Sequence, residues 1–457
     1  MASTISTEAR ALLHAAVKDI VRTHTDAHDL AEAEGIAEEV RQIASQAALD
    51  ASLAPLTGAA TYEGARVPCK CGRKMKFVEY RERWVKSDLG ECRISRAYYY
   101  CSGCRSGRHP WDERQGLNER IWSPRAKSIT CQATGRLTYA EGTGLLASLG
   151  VLEIEESSAE DIVLEVGGRL RSYEQDQRKK VKNRSLQRLA DRLQIEDVGG
   201  EPTPSIASRP VDGKRLYMAT DATTAHIDDG WHNVQCGMVF TVGADAEGRD
   251  TLRERAYAAA RTDMETFGWQ LRTLAEEWGV SGYEERVFLG DGAPCNWNVA
   301  TTHFPDAVQI LDYYHLSEHL WGLGRALYRQ EEAAEKARGD RWVGERLNSL
   351  KAAGARPLLR ALRRRQNAAN SDQREALRKM IGYVTNNAGR MDYPRYLAAG
   401  MMIGSGPVEA ACKVIVCSRM KQSGMRWSDR GADAILAVRT TLLNNDTARI
   451  GHCARAA

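Results

Sequence analysis

Three acidic residues that lie far apart in the chain have the local sequences expected of metal ligands. Asp221 ends the extended run 215–221, and Asp291 ends a second run, 286–291. Glu409 opens a helix directly after a Gly-Ser-Gly-Pro-Val segment. Carboxylates at two strand ends and on one helix can gather divalent cations, which steady the attacking and leaving oxygens of an in-line displacement at phosphorus. The pattern therefore favours a polynucleotidyl transferase.

Each of these acids also has an ordinary explanation. An aspartate often begins a turn after a strand, Asp291 belongs to an Asp-Gly turn dipeptide, and a charge such as Glu409 suits the first turn of a helix. Asp221 is preferred as the first acid because it alone directly ends a strand pattern. Its neighbouring alternatives are Asp212, Asp228 and Asp229. The order strand end, strand end, helix within one α/β pattern is what favours the metal site.

An α/β pattern begins near residue 213 and positions these acids. After the strand that ends at Asp221, the sequence predicts strands at 234–243 and 252–258, a helix at 262–278, a strand at 287–289, a helix at 293–303 and a strand at 307–311. This order is that of a ribonuclease H-like core. From 311 to about 400 only helical patterns occur, which predicts an all-helical insertion between the second and third acids. The core then resumes with the helix carrying Glu409 and another at about 429–443.

Two cysteine pairs flank about 30 residues of β-like sequence further upstream. Cys69 and Cys71 form the first pair, and Cys101 and Cys104 form the second, a Cys-x-x-Cys knuckle. Four thiolates in this arrangement predict a zinc ribbon with a structural Zn²⁺ site, although the first knuckle is one residue shorter than usual. Four unrelated buried thiols are the alternative. His109 is a possible substitute ligand or a surface residue, and Cys92, inside a strand pattern, is expected to serve packing.

The remaining N-terminal sequence is predominantly helical. Residues 1 to about 55 predict helices suited to oligomer contacts, and 56–66 read as a linker. Helix starts at Ser123-Pro124, Tyr139 and Ser157 permit a helix-turn-helix that would enter a DNA groove, although many small helical domains share this pattern.

A second dense group of functional side chains follows the last predicted strand. Asp312, His315 and His319 lie within eight residues, and the two histidines, four apart on a helix, could share a face and bind zinc. Glu318 does not occupy the position that a metalloprotease requires. We interpret the segment as one that positions DNA or supports the acidic site; a partly buried, hydrogen-bonded histidine pair is the alternative.

Positive charge is concentrated locally rather than in the total, which is only +4. One cluster comprises Arg360, Arg363, Arg364 and Arg365, and another lies within 178–184. The segment 418–427 is also basic and ends in an aromatic residue; it contains Arg419, Lys421, Arg426 and Trp427. Such clusters suit contacts with DNA phosphates and bases. Solvated helix faces and an ordinary connector are the alternatives.

Composition sets broader limits. A chain of 457 residues predicts two to four domains, and 43% hydrophobic with 27% charged residues describes a globular protein. No apolar run is long enough for a membrane span, and the N-terminal residues have no export signal, so we expect no membrane partner. Eleven cysteines, an odd number, predict a cytoplasmic protein with buried or metal-bound thiols.

Several of these motifs together resemble a known family. The chain is similar to the DDE transposases of bacterial insertion sequences, in the ISKra-type group related to Mutator-like elements. The motifs that carry the resemblance are Leu-Gly-Asp-Gly-Ala-Pro-Cys-Asn-Trp at 289–297, the Asp-Tyr-Tyr-His segment at 312–321, Gly-Ser-Gly-Pro-Val-Glu-Ala-Ala-Cys-Lys at 404–413, Lys-Gln-Ser-Gly-Met-Arg-Trp at 421–427 and Arg-Ala-Tyr-Tyr-Tyr-Cys at 96–101. The resemblance covers about residues 65–445.

The resemblance implies a mechanism and a set of partners. The catalytic acids would be Asp221, Asp291 and Glu409, holding two Mg²⁺ ions for which Mn²⁺ can substitute, with Asp312 and His315 as a supporting Asp-x-x-His motif. Water would cut at a transposon end and release a 3′-hydroxyl, which would then attack target DNA. Double-stranded DNA is the implied partner, bound by at least a homodimer on the nucleoid. The rivals are a nuclease or resolvase that does not join strands, and a domesticated, non-catalytic regulator.

The predicted architecture is a multidomain α+β protein. Its segments are an N-terminal helical segment (1–60), a zinc ribbon (61–115), a helical DNA-binding module (116–200), the first part of the ribonuclease H-like core (211–312), the all-helical insertion (313–400), the second part of the core (401–445) and a flexible C-terminus (446–457).

Overall fold

The computed structural model describes residues 5–117, 121–193, 207–211, 213–247 and 250–455, with the side chains of 190, 192 and 193 left out. The chain forms two compact units, one comprising 1–162 with 448–457 and the other 163–447. Each unit contains one β-sheet and several helices. The predicted mixed α+β class is confirmed at this level. The Pro and Gly content of 196–211 predicts a domain boundary there, but most of this segment and the alternative acid Asp212 lie outside the described residues.

Helices and strands are numbered here in chain order. The helices are α1 (Thr7–His24), α2 (Leu30–Leu53), α3 (Pro110–Arg114), α4 (Pro124–Thr134), α5 (Tyr139–Ser148), α6 (Glu156–Leu193), α7 (Met264–Glu277), α8 (Pro294–His303), α9 (Tyr313–Leu327), α10 (Ala333–Ala353), α11 (Ala355–Asn367), α12 (Ser371–Asn387), α13 (Tyr393–Ala398), α14 (Gly406–Cys412), α15 (Ser418–Met420), α16 (Asp429–Leu443) and α17 (Thr447–Arg455). The strands are β1 (Arg66–Pro68), β2 (Lys74–Ser87), β3 (Gly90–Cys101), β4 (Ser106–Arg108), β5 (Arg215–Ile227), β6 (Gly230–Ala244), β7 (Asp250–Ala260), β8 (Glu285–Gly290) and β9 (Val308–Leu311).

The sheet of the first unit is a four-stranded antiparallel meander in the order β1-β2-β3-β4. In its long β2–β3 hairpin, most of the buried residues belong to β3, whereas β2 is largely exposed and buries only Met75 and Val85. Cys92 is one of the buried residues; it packs with Val85, Ile94, Trp111 and Leu117, as its strand position predicted. The short strands β1 and β4 flank the hairpin at the end that carries the paired cysteines.

Local sequence explains where the helices of the first unit begin. Ser123 accepts a hydrogen bond from the backbone N–H of Ala126 (3.1 Å), and a proline occupies the first helical position of α4. Thr138 and Glu141 form a reciprocal capping box at α5. Helix α6 then runs for 38 residues without interruption, and it includes the basic cluster at 178–184.

The predicted flexible C-terminus is wrong for residues 447–455, which form α17. Ile450, Cys453 and Ala454 are buried. Their spacing of three and four residues places them on one face of a helix, and burial of that apolar face stabilises it. Residues 456 and 457 lie outside the described part of the chain.

The second unit is built on a five-stranded mixed sheet in the order β7-β6-β5-β8-β9. Strands β5, β6 and β7 form an antiparallel meander, and β8 and β9 run parallel to β5. The central strands are largely buried, as is typical of strands covered on both faces by helices. The predicted strands and helices of this region all occur, with ends displaced by a few residues.

The prediction that the first strand ends at Asp221 is wrong. Strand β5 continues to Ile227, because its second half pairs with the start of β6 in a hairpin. The turn of this hairpin contains Asp228, which has a positive φ of 51°, and Asp229. Both alternatives to Asp221 therefore lie at the far end of the hairpin, about 20 Å further along the strand.

The segment between β9 and α14 contains helices and no strand, as predicted. Helices α9 to α13 pack through leucines at helical spacing, including the fully buried Leu316, Leu320, Leu358 and Leu362. This helical segment separates the strand that precedes Asp291 from the helix that carries Glu409 along the chain, so the site must be closed by contacts over long sequence distances.

Candidate catalytic and metal sites

The first two acids lie at equivalent positions on neighbouring parallel strands. Parallel pairing of β5 with β8 ends at Ala219 and Leu289. Asp221 and Asp291 each follow that last pair by two residues. Because paired strands lie about 4.8 Å apart, the two carboxylates emerge close together at one edge of the parallel ladder.

The carboxylate of Asp291 is held in place through one of its oxygens. Its Oδ1 accepts hydrogen bonds from the backbone N–H of Ala293 (2.9 Å) and from Nδ2 of Asn296 (2.8 Å). Asn296 is in turn fixed by the hydroxyl of Thr220 (3.0 Å). Among the described residues, nothing donates a hydrogen bond to Oδ2 of Asp291. One oxygen therefore sets the orientation, and the other is free to bind a ligand.

Tyr383 approaches the same strand end from helix α12. Its hydroxyl donates a hydrogen bond to the backbone oxygen of Asp291 (2.7 Å). This close approach needs Gly292, which has a φ of +99° and where a Cβ atom would lie 2.6 Å from that hydroxyl. Burial raises the pKa of Tyr383 above its usual range, so the hydroxyl remains a hydrogen-bond donor at all ordinary pH values.

The third acid is brought to the sheet by the short helix α14. Val408, Ala411 and Cys412 are buried, which leaves Glu409 on the exposed side of the helix. The thiol of Cys412 donates to Oδ2 of Asp221 at 3.5 Å. This contact ties the helix bearing Glu409 to the strand bearing the first acid.

The acids influence one another's protonation. Burial raises the pKa of Asp221, and the charge of Asp291 raises it further. Desolvation raises the pKa of Glu409, followed by the charges of Asp312 and Asp221. Negative charge is therefore concentrated around Asp221 and Glu409. A divalent cation bound there would reduce the repulsion between the carboxylates.

The three acids do not form one tight ligand cage. Over the described ranges, the four ribbon cysteines are the only group of three or more His, Cys, Asp or Glu side chains whose ligand atoms all lie within 4.8 Å of one another. The acidic site is therefore more open than the cysteine site.

Asp312 is a fully buried carboxylate that joins two distant segments. Its Oδ1 caps helix α9 by accepting hydrogen bonds from the backbone N–H groups of Tyr314 (2.7 Å) and His315 (3.3 Å). Its Oδ2 accepts from the backbone N–H of Ser405 (3.1 Å) and from the Ser405 hydroxyl. Ser405 immediately precedes α14, so Asp312 fixes the start of the helix that carries Glu409. At Gly404 a Cβ atom would lie 2.5 Å from the Tyr314 ring, which explains a glycine before this contact.

The two histidines of α9 form a hydrogen-bonded pair. The Nε2 atoms of His315 and His319 lie 3.0 Å apart, so one donates and the other accepts. The ring of His319 also packs against Tyr383, with 5.0 Å between ring centres. The half-buried His315 lowers the pKa of Asp221. The pair therefore belongs to the surroundings of the acidic site, and no third zinc ligand accompanies it within the described residues.

The predicted DNA-binding residues divide into exposed and buried groups. Arg363, Arg364 and Arg426 are exposed, and Arg365 is half-buried with its guanidinium 5.3 Å from the ring centre of Tyr328. Lys421 is also half-buried and donates to the hydroxyl of Thr223 (2.8 Å), two residues beyond Asp221 on the same strand. These five side chains remain candidates for phosphate contacts.

The prediction that Arg419 and Trp427 contact DNA is corrected, because the structure buries both side chains. Arg419 has no exposed surface, and its guanidinium lies 4.9 Å from the Trp427 ring centre. The Trp427 indole N–H donates to the backbone oxygen of Met420 (3.2 Å), and its backbone extends the pairing of β5 at Ile227. Both residues therefore stabilise the segment that follows α14, and neither is presented to a nucleic acid.

The four ribbon cysteines meet at one end of the first unit's sheet. The Sγ atoms of Cys69 and Cys71 are 3.4 Å apart, those of Cys69 and Cys104 are 3.5 Å apart, and those of Cys71 and Cys101 are 3.7 Å apart. Four sulfurs around a tetrahedral Zn²⁺, each about 2.3 Å from it, lie about 3.8 Å from one another. The cluster thus has the size that zinc requires and could hold a zinc ion, as predicted.

The short first knuckle is accommodated by a glycine. Gly72 has a φ of +83°, and its backbone N–H donates to the oxygen of Cys69 (3.0 Å), which closes a tight turn around the two cysteines. His109 is not a ligand: its Nδ1 is 3.1 Å from the backbone oxygen of Ala97, outside the cluster.

The protonation of the four thiols differs although they are close neighbours. Hydrogen bonding with Ser106, and then with Cys69, lowers the pKa of Cys104 to about 6. The pKa of Cys71 is raised to about 11, where the neighbouring thiols and burial outweigh a lowering backbone hydrogen bond from Arg73. Without a metal, the four thiols are not all ionised at neutral pH, so metal binding is expected to release protons from them. No disulfide joins any of the eleven cysteines, all of which are described.

Sequence reasoning missed several residues that complete the acidic site. Asn296 lies within the recognised motif, and its position five residues after Asp291 could have suggested a contact. Cys412 also lies within a recognised motif, three residues after Glu409, but its contact with Asp221 had no local signal. Thr220 and Tyr383 reach the site through tertiary contacts rather than through a local pattern.

Comparisons with known proteins add no assignment. No family model matches the chain, and its sequence matches no curated protein. No helix in the described part of the chain is both long and apolar enough to cross a bilayer.

Zinc binding is tested by Cys104→Ser. We expect the wild-type protein to purify with about one Zn²⁺ per chain and the variant to lose it, because three thiolates and a hydroxyl bind zinc much more weakly. Metal analysis with a chromogenic chelator measures this. Cys295→Ser, which removes an exposed thiol outside the cluster, is the matched control and should keep its zinc. Equal zinc in both variants would exclude the ribbon site.

Asp221→Asn tests whether the charge of Asp221 destabilises the folded protein at neutral pH. Because the folded-state pKa of Asp221 is raised, the folded protein binds the proton more tightly than the unfolded chain. Protonated Asp221 therefore contributes stability at low pH. This contribution is lost as the pH rises from the carboxyl pKa of the unfolded chain through the higher pKa of the folded protein. At neutral pH the variant should therefore be about 0.5–2 kcal/mol more stable in urea unfolding. That gain should vanish at acid pH.

The same variant distinguishes a metal site from a merely crowded one. Mn²⁺ at a hundred times its dissociation constant should raise the free energy of unfolding of the wild-type protein by about 2.7 kcal/mol. It should raise the free energy of unfolding of Asp221→Asn much less. Equal Mn²⁺ stabilisation of the two proteins would contradict a divalent-cation site at Asp221.

Asp312→Ala should destabilise the second unit by about 2–4 kcal/mol, because buried N–H groups of Ser405 and of the α9 cap lose their acceptor. Urea unfolding measures the change. The exposed Asp306→Ala in the loop before β9 is the matched control and should stay within about 0.5 kcal/mol of wild type. A similar small effect for Asp312→Ala would show that the Ser405 contact is dispensable.

Proposed function

We propose that this protein is a DDE-type transposase of an insertion sequence, which binds the inverted repeats at transposon ends and catalyses DNA strand cleavage and strand transfer. The observation that carries the proposal is the position of Asp221 and Asp291, two residues past the last pair of one parallel ladder, with the helix of Glu409 hydrogen-bonded to the same strand through Cys412. Three acids gathered in this way are a rational scaffold for phosphoryl transfer.

The topology of the second unit supports a ribonuclease H-like core. Its sheet begins with a three-stranded antiparallel meander, and two further strands lie parallel to the first, with α8 between them. The helical segment α9–α13 then separates the last strand from α14. This is the order predicted for such a core with an all-helical insertion between the second and third acids.

Asp221, Asp291 and Glu409 offer the hard carboxylate oxygens that Mg²⁺ and Mn²⁺ prefer, and they would hold two Mg²⁺ ions, with Mn²⁺ as a substitute. When bound, the ions would activate the attacking oxygen and neutralise charge on the leaving oxygen.

The roles of the protein groups follow from their contacts. Asp291 is pre-oriented through Oδ1 and offers Oδ2; Asp221 is placed beside it; and Asp312 is a positioning residue that fixes the start of the Glu409 helix. Attack of water on the phosphorus at a transposon end breaks the bond to the 3′ oxygen. The released 3′-hydroxyl then attacks a phosphodiester of the target DNA, which breaks one phosphodiester bond as another forms.

Helix α11 supplies a basic surface suited to DNA. It contains no acidic residue, and its exposed arginines fall on one face, opposite the buried Leu358 and Leu362. These arginines are Arg356, Arg360, Arg363 and Arg364. In the described residues none of them forms an ion pair, so their charges are available to neutralise phosphates near the cut.

The first unit is proposed to hold the transposon ends. Its zinc ribbon would be stabilised by Zn²⁺ at Cys69, Cys71, Cys101 and Cys104, and the helices α4 to α6 would contact the terminal repeats. Synapsis of two ends requires at least a dimer, acting on DNA in the cytoplasm. Helix α1 offers a surface for self-association, because it buries no residue and exposes Leu12, Leu13 and Ile20.

The decisive experiment uses Asp291→Asn with duplexes that carry the inverted repeats flanking the gene. Wild-type protein with Mg²⁺ should cleave them and join the new 3′-hydroxyl to a target plasmid. The variant should bind DNA equally but lose cleavage by at least about a hundredfold, because one metal-binding oxygen is replaced. Asp306→Asn is the control and should remain active.

The outcomes separate the rivals. Cleavage without joining would indicate a nuclease or resolvase, and binding without cleavage by the wild-type protein would indicate a regulator. Undiminished cleavage by Asp291→Asn would refute the assignment of this acid.

A further inference from the structure

We propose that Arg171, Arg178 and Arg261 form a pocket that binds a backbone phosphate of DNA, beside the acidic site but separate from it. The identity of the ligand as DNA rests on the proposed function. The pocket itself is a feature of the second unit.

The pocket is a cavity of about 190 Å³ at the end of the edge strand β7. Helix α6 contributes Arg171 and Arg178, the segment after β7 contributes Arg261 and Thr262, and α16 contributes Asp433. The cavity is large enough for a tetrahedral oxyanion and too small for a base pair. Helices α6, α7 and α16 and the end of β7 form its walls, so Arg171 and Arg178 are held by helical backbone, and Arg261 directly follows a strand.

Positive charge exceeds negative charge in the lining. Three guanidinium groups face the pocket, whereas only two carboxylates, Glu174 and Asp433, do so. Asp433 is shared, because it forms ion pairs with both Arg171 and Arg261 (2.9 Å to the latter). Arg261 also pairs with the exposed Asp429 (2.8 Å), which does not line the pocket. Burial lowers the pKa of Arg171, Glu174 raises it, and the charges of Arg261 and Arg178 lower it. Arg178 is left without an ion-pair partner among the described residues, and a bound anion would balance its charge.

Arg178 is the residue that this ion-pair network does not use. It is half-buried and lines the pocket, yet it makes no hydrogen bond or ion pair with any described residue. Desolvating a guanidinium without a partner costs free energy, so a structural role alone does not explain its position. A phosphate would accept hydrogen bonds from Arg178, and its charge would pair with all three arginines.

The pocket is aligned with the first catalytic acid across the sheet. Asp221 pairs with Cys236 on β6, and Cys236 pairs with Ala259 on β7, which lines the pocket. Two strand spacings put the Cα atoms of Asp221 and Ala259 about 10 Å apart. At about 3.4 Å of rise per nucleotide, this corresponds to two or three nucleotides along one DNA strand. The pocket would thus fix the register of the strand relative to the scissile phosphate.

A network that only fastens α6 to the sheet is the competing interpretation. It predicts that Arg171 and Arg261, which form the ion pairs, are important and that Arg178 is dispensable. Arg178→Gln is therefore the informative variant, because it removes the unpaired cation and leaves the ion pairs intact. Lys336→Gln is the matched control: it removes one positive charge from an exposed side chain of α10, outside both the pocket and the basic clusters.

The test measures binding of the full-length protein to end-repeat duplexes without divalent ions, over a range of salt concentrations. Arg178→Gln should weaken binding roughly three- to tenfold and reduce the slope of log K against log salt by about one. Lys336→Gln should change both the affinity and the slope much less. Phosphate ethylation should interfere with wild-type binding at a position two or three nucleotides from the cut, and this interference should be absent in Arg178→Gln.

Several results would overturn the inference. They are equal effects of the two variants, unchanged binding in Arg178→Gln, or an ethylation pattern that the variant retains. Stabilisation of wild type but not of Arg178→Gln by inorganic phosphate, with equal DNA binding, would reassign the pocket to a small anion. If the wild-type protein bound no DNA, the proposed function would fail with it; if it bound and cleaved DNA but Arg178→Gln behaved as wild type, only the pocket would fail.

Discussion

The parallel pairing of β5 with β8 is the constraint on which the candidate site depends. The ladder ends at Ala219 and Leu289, and this shared end brings Asp221 and Asp291 to the same level. Strand pairing in a buried sheet brings the two carboxylates together, and burial, followed by the charge of Asp291, raises the pKa of Asp221. The fold thus places like charges close together at a point where a bound cation could reduce their repulsion. Such a loss of stability at a functional site is a common compromise between stability and function.

The third acid shows how a site can be completed across a long insertion. Between Asp312 and Ser405 the chain passes through five helices, yet the two residues meet through a fully buried carboxylate. Asp312 caps α9 with one oxygen and holds the approach to α14 with the other. The helical segment can therefore vary in detail without moving Glu409, provided that its first and last residues are joined in this way.

The sequence predicted the elements well and their tertiary contacts poorly. Strands in the second unit and the cysteine pairs were visible because alternation, turn residues and spacing are local signals. Asp221 was found although its strand was expected to end too early, since the hairpin partner that extends β5 is not a local property. Arg419 and Trp427 looked like exposed basic and aromatic residues because composition does not reveal burial, and α17 was overlooked because three apolar residues in a short terminal stretch give little periodicity. Tyr383 and Cys412 could not be predicted, as both act through contacts made only in the folded chain.

The two candidate metal sites differ in ways that keep their ions distinct. Four sulfurs within 4.8 Å of one another form a closed, soft cage that matches Zn²⁺ and offers no open position for substrate. The carboxylates of the second unit are hard ligands in an open arrangement, which suits Mg²⁺ or Mn²⁺ because such ions keep sites for water and phosphate oxygens. Ligand chemistry would therefore separate the proposed structural site from the proposed catalytic one within a single chain. The basic surfaces follow the second site rather than the first: the arginines of α11 and the pocket of Arg178 both belong to the unit that carries the acids. A polyanion drawn to that unit would meet the carboxylates with its own charge already partly neutralised, and this is what allows an acidic site to act on an acidic polymer.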